Sequence, residues 1–278
     1  MAPEQKNFSR REFLKTGVVG GVFLAEILSS KTAIAALEEL LTTREFISET
    51  YEAGLSRLRK DVFEKETERF YAFVKKGNKV GWLNVEDVMT VDLGKSINLL
   101  PILSDAGVDT LHFVHTHPLF IAKLDRLLPV PMLEAAKKNK RTNFPLMPSS
   151  TDILTLAMQK AYVKEHGMRY SLKHSVLDPA GIWEYDVDIS NPSVAKAIKS
   201  MKEAEKDSAR IKPDDELLSM QPHESFMTIL GLELYEQQQL FYKGLTGIAP
   251  AKMKNLENWA KNKWGVRFNF KSFEESPG

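Results

Sequence analysis

Two histidines one residue apart, His115 and His117, are the side chains whose type and spacing first suggest chemistry. They close an apolar run, Leu111-His112-Phe113-Val114-His115-Thr116-His117, that Pro118 stops. A β-branched and aromatic stretch halted by proline predicts a buried strand. Side chains two apart on a strand point the same way, so His115 and His117 project together and His112 projects to the other face. Two imidazoles side by side on a rigid strand end make half of a metal site. Zinc takes four ligands from nitrogen, oxygen or sulfur, and a catalytic zinc keeps one position for water. The third protein ligand should be a carboxylate or another histidine, and Asp152 is a good candidate. Pro148-Ser149 reads as a helix entry, with Ile153, Leu154, Ala157, Ala161 and Val163 as the buried side of the helix. An aspartate in that first turn sits where the helix dipole favours negative charge.

Composition narrows the chemistry. The chain has 278 residues, 43% of them apolar, enough for one large domain or one domain plus an appendage. A net charge of +1 gives no electrostatic case for nucleic acid. The absence of cysteine removes disulfides, thiol catalysis and thiolate metal sites, and leaves the redox compartment undecided.

The elements that must position these residues follow from periodicity. Leu37, Leu40, Leu41, Ile47, Tyr51, Leu55, Leu58 and Val62 recur at helical spacing and predict a long amphipathic helix. Phe70, Ala72 and Val74 then alternate with Tyr71, Phe73 and Lys75, the chain turns at Lys76-Gly77-Asn78-Lys79, and Val80 to Val91 can form the partner strand. Gly94 to Gly107 reads as a helix or turn broken by Pro101. Leu119 to Met147 reads as a short helix, a break at Pro129-Val130-Pro131 and a second helix. Lying between the candidate donors, it is either a lid over the site or a decoration packed on the core. Its basic residues, Lys137, Lys138, Lys140 and Arg141, read as a solvated face. Strands are expected over Tyr170–Leu177 and Gly181–Val187, helices over Asn191–Asp207, His223–Leu245 and Lys252–Trp264, and a last strand over Val266–Phe270. The expected fold is α/β of the α+β type: a mixed sheet flanked by helices, with a long insertion and a mostly helical C-terminal extension.

His115-x-His117-Pro118 followed by Ser149-x-x-Asp152 resembles the motif of the JAMM (MPN-plus) metallopeptidases, whose pattern is Glu, then His-x-His, then Ser-x-x-Asp. The resemblance covers roughly Ala36 to Ile189. It implies one catalytic Zn2+ on His115, His117 and Asp152, a glutamate that activates water, and Ser149 as an oxyanion helper. The family keeps only a few residues between the two halves of the motif, whereas here Leu119 to Met147 intervene. The family's glutamate belongs at the start of the first strand, where Glu64, Glu66 and Glu68 stand at alternate positions and, if extended, face one way. Glu68 abuts the apolar run and is the choice, Glu66 comes second, and Glu86 on the next strand third. The implied activity is hydrolysis of an amide in a peptide or protein substrate. A second reading is a non-catalytic JAMM-fold binding or scaffold module of the cell envelope, against which the complete motif set argues.

Ser9-Arg10-Arg11-Glu12-Phe13-Leu14-Lys15 resembles the twin-arginine export motif of bacteria. An apolar stretch from Gly17 to Leu28, interrupted by Glu26, and Ala33-Ile34-Ala35 complete a leader. The expected organisation is a signal over 1–35, a metallopeptidase-like domain over 36–190 with its insertion at 119–147, and a helical extension over 191–278. The expected place is outside the cytoplasm, periplasmic or otherwise extracytoplasmic, reached through the twin-arginine machinery. An uncleaved leader would tether the chain to the membrane. Of the other histidines, His112 is expected to pack on the far face, His166 to end a helix, His174 to be structural, and His223 to be exposed.

Overall fold

The computed structural model describes residues 46–88, 99–101, 103–105, 107–124, 127–169, 171–207, 222–242 and 250–273. The expected leader lies outside them. In chain order, β1 (Phe46–Ile47) leads to α1 (Tyr51–Glu64), then to β2 (Glu68–Lys76), β3 (Lys79–Val88) and β4 (Thr110–Thr116). The insertion holds α2 (Leu119–Leu124) and α3 (Val130–Asn139), and α4 (Ser150–Glu165) follows. β5 (Ser171–Leu177) and β6 (Gly181–Val187) precede α5 (Pro192–Asp207), α6 (Pro222–Tyr242), α7 (Pro250–Trp264) and β7 (Val266–Ser272). The strands form one seven-stranded sheet in the order β1-β3-β2-β4-β5-β6-β7. β4 and β5 run parallel and every other pair is antiparallel. A parallel pair cannot be closed by a tight turn; here the insertion and α4 make the crossover. This is the α+β arrangement expected, a mixed sheet flanked by helices. Among the described residues no helix is long and apolar enough to cross a membrane.

One expected element is corrected. Of the helix predicted over 37–62, residues 37–45 lie outside the described residues, and Phe46 and Ile47 are extended and pair with Leu83 and Trp82. Helix α1 starts only after Thr50, whose Oγ1 accepts the Ala53 N–H at 3.2 Å. A threonine in that role satisfies one of the amides orphaned at a helix start, and edge pairing claims the residues before it. Gly54 then lets α1 approach β3. A Cβ there would lie 2.0 Å from Trp82 Nε1, and the same indole donates to Thr50 O at 3.1 Å.

Alternation divides the core. Val114 faces α1, where Leu58, Val62 and Phe63 meet Tyr71 and Trp82. The insertion buries Leu119, Ala122, Leu127, Leu128, Leu133, Ala136, Phe144 and Leu146 in that same cluster. It is therefore packed on the core. Its end is fixed by Lys140, which adopts a left-handed conformation (φ 48°) and bonds Glu64 at 2.5 Å. On the opposite face, α4 buries Ile153, Leu154, Leu156, Ala157 and Met158 against Val176 and Trp183 and against Leu230, Leu256 and Trp264 from the C-terminal helices. Each large apolar side chain so buried contributes about 1.5–3 kcal/mol before entropy is counted. The C-terminal third thus shares the core of the sheet and adds β7 to its edge. His223, expected exposed, is buried: α6 begins one residue earlier, at Pro222, so His223 falls in its first turn and bonds Ser200 Oγ at 2.9 Å.

Candidate metal centre

β4 is held on both sides. His115 is paired with Phe70 of β2 and with Val176 of β5. The ladder continues one residue past the strand, where the His117 N–H donates to Leu177 O at 2.9 Å. Both imidazoles therefore stand on backbone that cannot swing. Their Nε2 atoms lie 3.3 Å apart.

The carboxylate arrives from the other side of the crossover. Ser149 caps α4 with a reciprocal pair of bonds: its Oγ accepts the Asp152 N–H at 3.2 Å, and its N–H donates to Asp152 Oδ2 at 2.6 Å. This capping box fixes the rotamer of Asp152. Its Oδ1 then lies 3.1 Å from His115 Nε2 and its Oδ2 3.5 Å from His117 Nε2. His115, His117 and Asp152 are 1%, 6% and 4% exposed, and ligand atoms from all three lie within 4.8 Å of one another. Burial works to raise the Asp152 pKa, but the attraction of His115 and hydrogen bonds from both rings outweigh it and hold the carboxyl well below its usual range. Two imidazole nitrogens and one ionised carboxylate oxygen, converging in a buried position, are a donor set suited to a divalent cation. The group could hold a metal ion.

Glu68 opens β2 beside this group, with Oε1 3.7 Å from His117 Nε2 and a side chain 15% exposed. Its pKa is pushed up to about 8, chiefly by burial, with His117 opposing and the charge of Asp152 adding. Glu64 and Glu66 are not brought in. Helix α1 runs through Glu64, which is exposed and bonded to Lys140, and Glu66 is exposed in the link before β2. The expected alternation of three acids fails because only the last is on the strand. Glu86 pairs in register with Phe70 on β3, which does not adjoin β4. The sequence-predicted residues Glu68, His115, His117, Ser149 and Asp152 therefore meet at one place.

Among the other histidines, His174 Nε2 is bonded to Gln159 Oε1 at 2.5 Å and its Nδ1 lies 3.3 Å from the Tyr185 hydroxyl, so both ring nitrogens are occupied away from the metal group. His166 ends α4, its ring stacked on Tyr162 at 3.9 Å.

Sequence reasoning missed Asp178. It is fully buried, and its Oδ1 accepts the N–H groups of Ala180 and Gly181 at 2.6 and 2.7 Å. Its Oδ2 accepts the Leu146 N–H at 2.7 Å and the Trp183 indole at 2.8 Å. The carboxylate thus ties the β5–β6 turn to the run that enters Ser149. Burial pushes its pKa up to about 6 against these four donors. Asp178-Pro179-Ala180-Gly181 signals a turn and its local bonds; nothing in the sequence signals the bond to Leu146. Gln238 of α6 was missed too: its Oε1 accepts the Met147 N–H at 3.3 Å.

No family model, curated protein or solved structure matches this chain.

Proposed function

We propose that the chain is a zinc-dependent amide hydrolase, a peptidase or isopeptidase of the JAMM (MPN-plus) type, acting outside the cytoplasm. The observation that carries the reading is convergence. His115, His117 and Asp152, which the long insertion separates in the chain, present their donor atoms within 4.8 Å of one another, and Glu68 stands 3.7 Å from His117. Zinc is the ion favoured by two nitrogens and one oxygen in a buried site without thiolate.

His115, His117 and Asp152 would hold the ion, which when bound supplies Lewis acidity and lowers the pKa of water to about 7. Glu68 takes a proton from the attacking water and returns it to the leaving nitrogen. The Ser149 hydroxyl, whose oxygen already accepts the Asp152 N–H, has its own proton to donate toward the substrate's carbonyl oxygen as charge develops there.

The test combines metal analysis with kinetics on the purified full chain. It should carry about one zinc per chain, and His117→Ala should lose it. Glu68→Gln should keep the zinc while hydrolysis falls by roughly 10²–10⁴-fold. Folded protein with no zinc above background ends the reading, and zinc without hydrolysis of any extracytoplasmic peptide returns it to a binding or scaffold module. The location rests on Arg10-Arg11 and the apolar stretch after it. Replacing both with Arg10→Lys and Arg11→Lys should retain the chain in the cytoplasm on fractionation; unchanged export would remove that part.

A further inference from the structure

The run that leads into α4 is held by side chains. Leu146 and Met147 are both buried and point into different cores, Leu146 into the cluster under α1 and Met147 into the one under α4. A buried backbone N–H has to find an acceptor. The Leu146 N–H donates to Asp178 Oδ2 at 2.7 Å, and the Met147 N–H donates to Gln238 Oε1 at 3.3 Å. Pro148 has no N–H to give. The Ser149 N–H donates to Asp152 Oδ2 at 2.6 Å. Every amide of residues 146–149 that can donate is thus claimed by a side chain, and the last of these bonds orients the carboxylate of the metal group.

Helix α6 touches this run at both ends. Beyond the Gln238 bond to Met147, Gly231 stands against Ser150, where a Cβ would lie 3.0 Å from Ser150 Oγ. Gly231 and Gln238 are about two helical turns apart and so share one face of α6. On the adjoining face Leu230 and Leu234 are buried in one cluster with Ile153, Leu154 and Met158 of α4, so the two helices pack on the same side of the sheet. The path from α6 to the metal group is short. From the Met147 amide it is two residues, at most about 7 Å, to the Ser149 amide. From there one bond reaches Asp152, whose Oδ1 lies 3.1 Å from His115 Nε2.

We infer that Gln238 is a positioning residue for Asp152: by accepting the Met147 N–H it fixes the Ser149 amide, and with it the angle at which the Asp152 carboxylate faces His115 and His117. Helix α6 lies outside the stretch that resembles the JAMM family, and this role makes it part of the metal centre. The inference rests on the metal-binding part of the reading above. Partners that orient a ligand from behind typically change metal affinity by roughly 10–100-fold.

The test is zinc titration of the full chain against a competing chelator, with Ser149 amide exchange followed by NMR in the metal-free chain. Gln238→Leu keeps the bulk of the side chain but cannot accept. Its zinc affinity should fall by roughly tenfold and its Ser149 amide should exchange faster, with circular dichroism unchanged. Gln238→Glu keeps an accepting oxygen at the same reach and should restore most of both. Cobalt in place of zinc should show an altered visible spectrum in Gln238→Leu and the parental one in Gln238→Glu, a difference that a general loss of stability would not produce. Gly231→Ala presses on Ser150 while alanine itself favours the helix, so zinc should bind more weakly with no fall in the urea midpoint. Parental zinc affinity and parental Ser149 exchange in Gln238→Leu overturn the inference, as does a loss that Gln238→Glu shares in full. A parent chain that takes up no zinc, while Ser149 exchange still follows the acceptor at 238, sinks the metal reading alone. Zinc in the parent with no effect of any of the three variants sinks this inference alone.

Discussion

His112 is the same residue type as the two metal donors and lies on the same strand, yet alternation gives it a different fate. It is 7% exposed, its Nε2 bonds Ser175 Oγ at 2.8 Å, and Tyr51 stacks on its ring at 4.9 Å. Burial first, then the nearby charge of Lys173, lowers its pKa to about 4. The unfolded chain binds a proton near pH 6.5 that the folded one refuses until about 4. Stability from this group is therefore complete above pH 6.5 and is lost as pH falls through that window, by about 3 kcal/mol in all. Asp178, raised to about 6, acts with the opposite sign, losing stability as pH rises from its ordinary 3.8. Comparing His112→Phe with the parent isolates the first effect: urea unfolding at several pH values should show a flatter acid limb between 6.5 and 4 in the variant. An unchanged slope would mean that the ring is not buried as described.

At the level of elements, α4 carries Asp152 in a first turn that the Ser149–Asp152 capping box holds. Ser149→Ala removes the hydroxyl cap but keeps the backbone N–H that holds Asp152 Oδ2. Chemical denaturation should report a loss of about 1 kcal/mol, and metal content should be unchanged. If the hydroxyl also meets the developing oxyanion, turnover should fall about 10²-fold; unaltered turnover would leave Ser149 a cap only. The elements themselves were largely legible. Proline breaks and helical spacing located α2, α3, α6 and α7, and the alternation of Val266, Phe268 and Phe270 located β7. Local patterns report a residue's own backbone, and this is why they failed elsewhere. Phe46 and Ile47 keep helical spacing but are claimed by β3, and His223 looks like a residue before a helix but lies inside one. The three alternate acids reduce to Glu68 because α1 runs farther than its apolar positions require. Whether the insertion covers the site or packs on the core depended on α1, to which no sequence pattern connects it.

For the molecule as a whole, the C-terminal third completes the sheet. β7 covers the open side of β6 and presents Arg267, Asn269 and Lys271 in alternation, with Arg267 bonded to Asp186 and Lys271 to Glu184; charged side chains on a last strand discourage pairing with other chains. The donor pair stands at the end of β4 and Asp152 in α4, on either side of the insertion in the connection between β4 and β5, the one parallel pair in the sheet. The β2–β3 and β5–β6 hairpins close short loops, whereas β4–β5 must close a long one, and distant pairings form slowly. Pulse-labelled hydrogen exchange during refolding should protect the β2–β3 and β5–β6 amides before those shared by β4 and β5; simultaneous protection would contradict this order. Because His115 and His117 precede the insertion and Asp152 follows it, the three donors are a chelating set only in the folded chain, so any ion they took up would stabilise the folded state over the unfolded one.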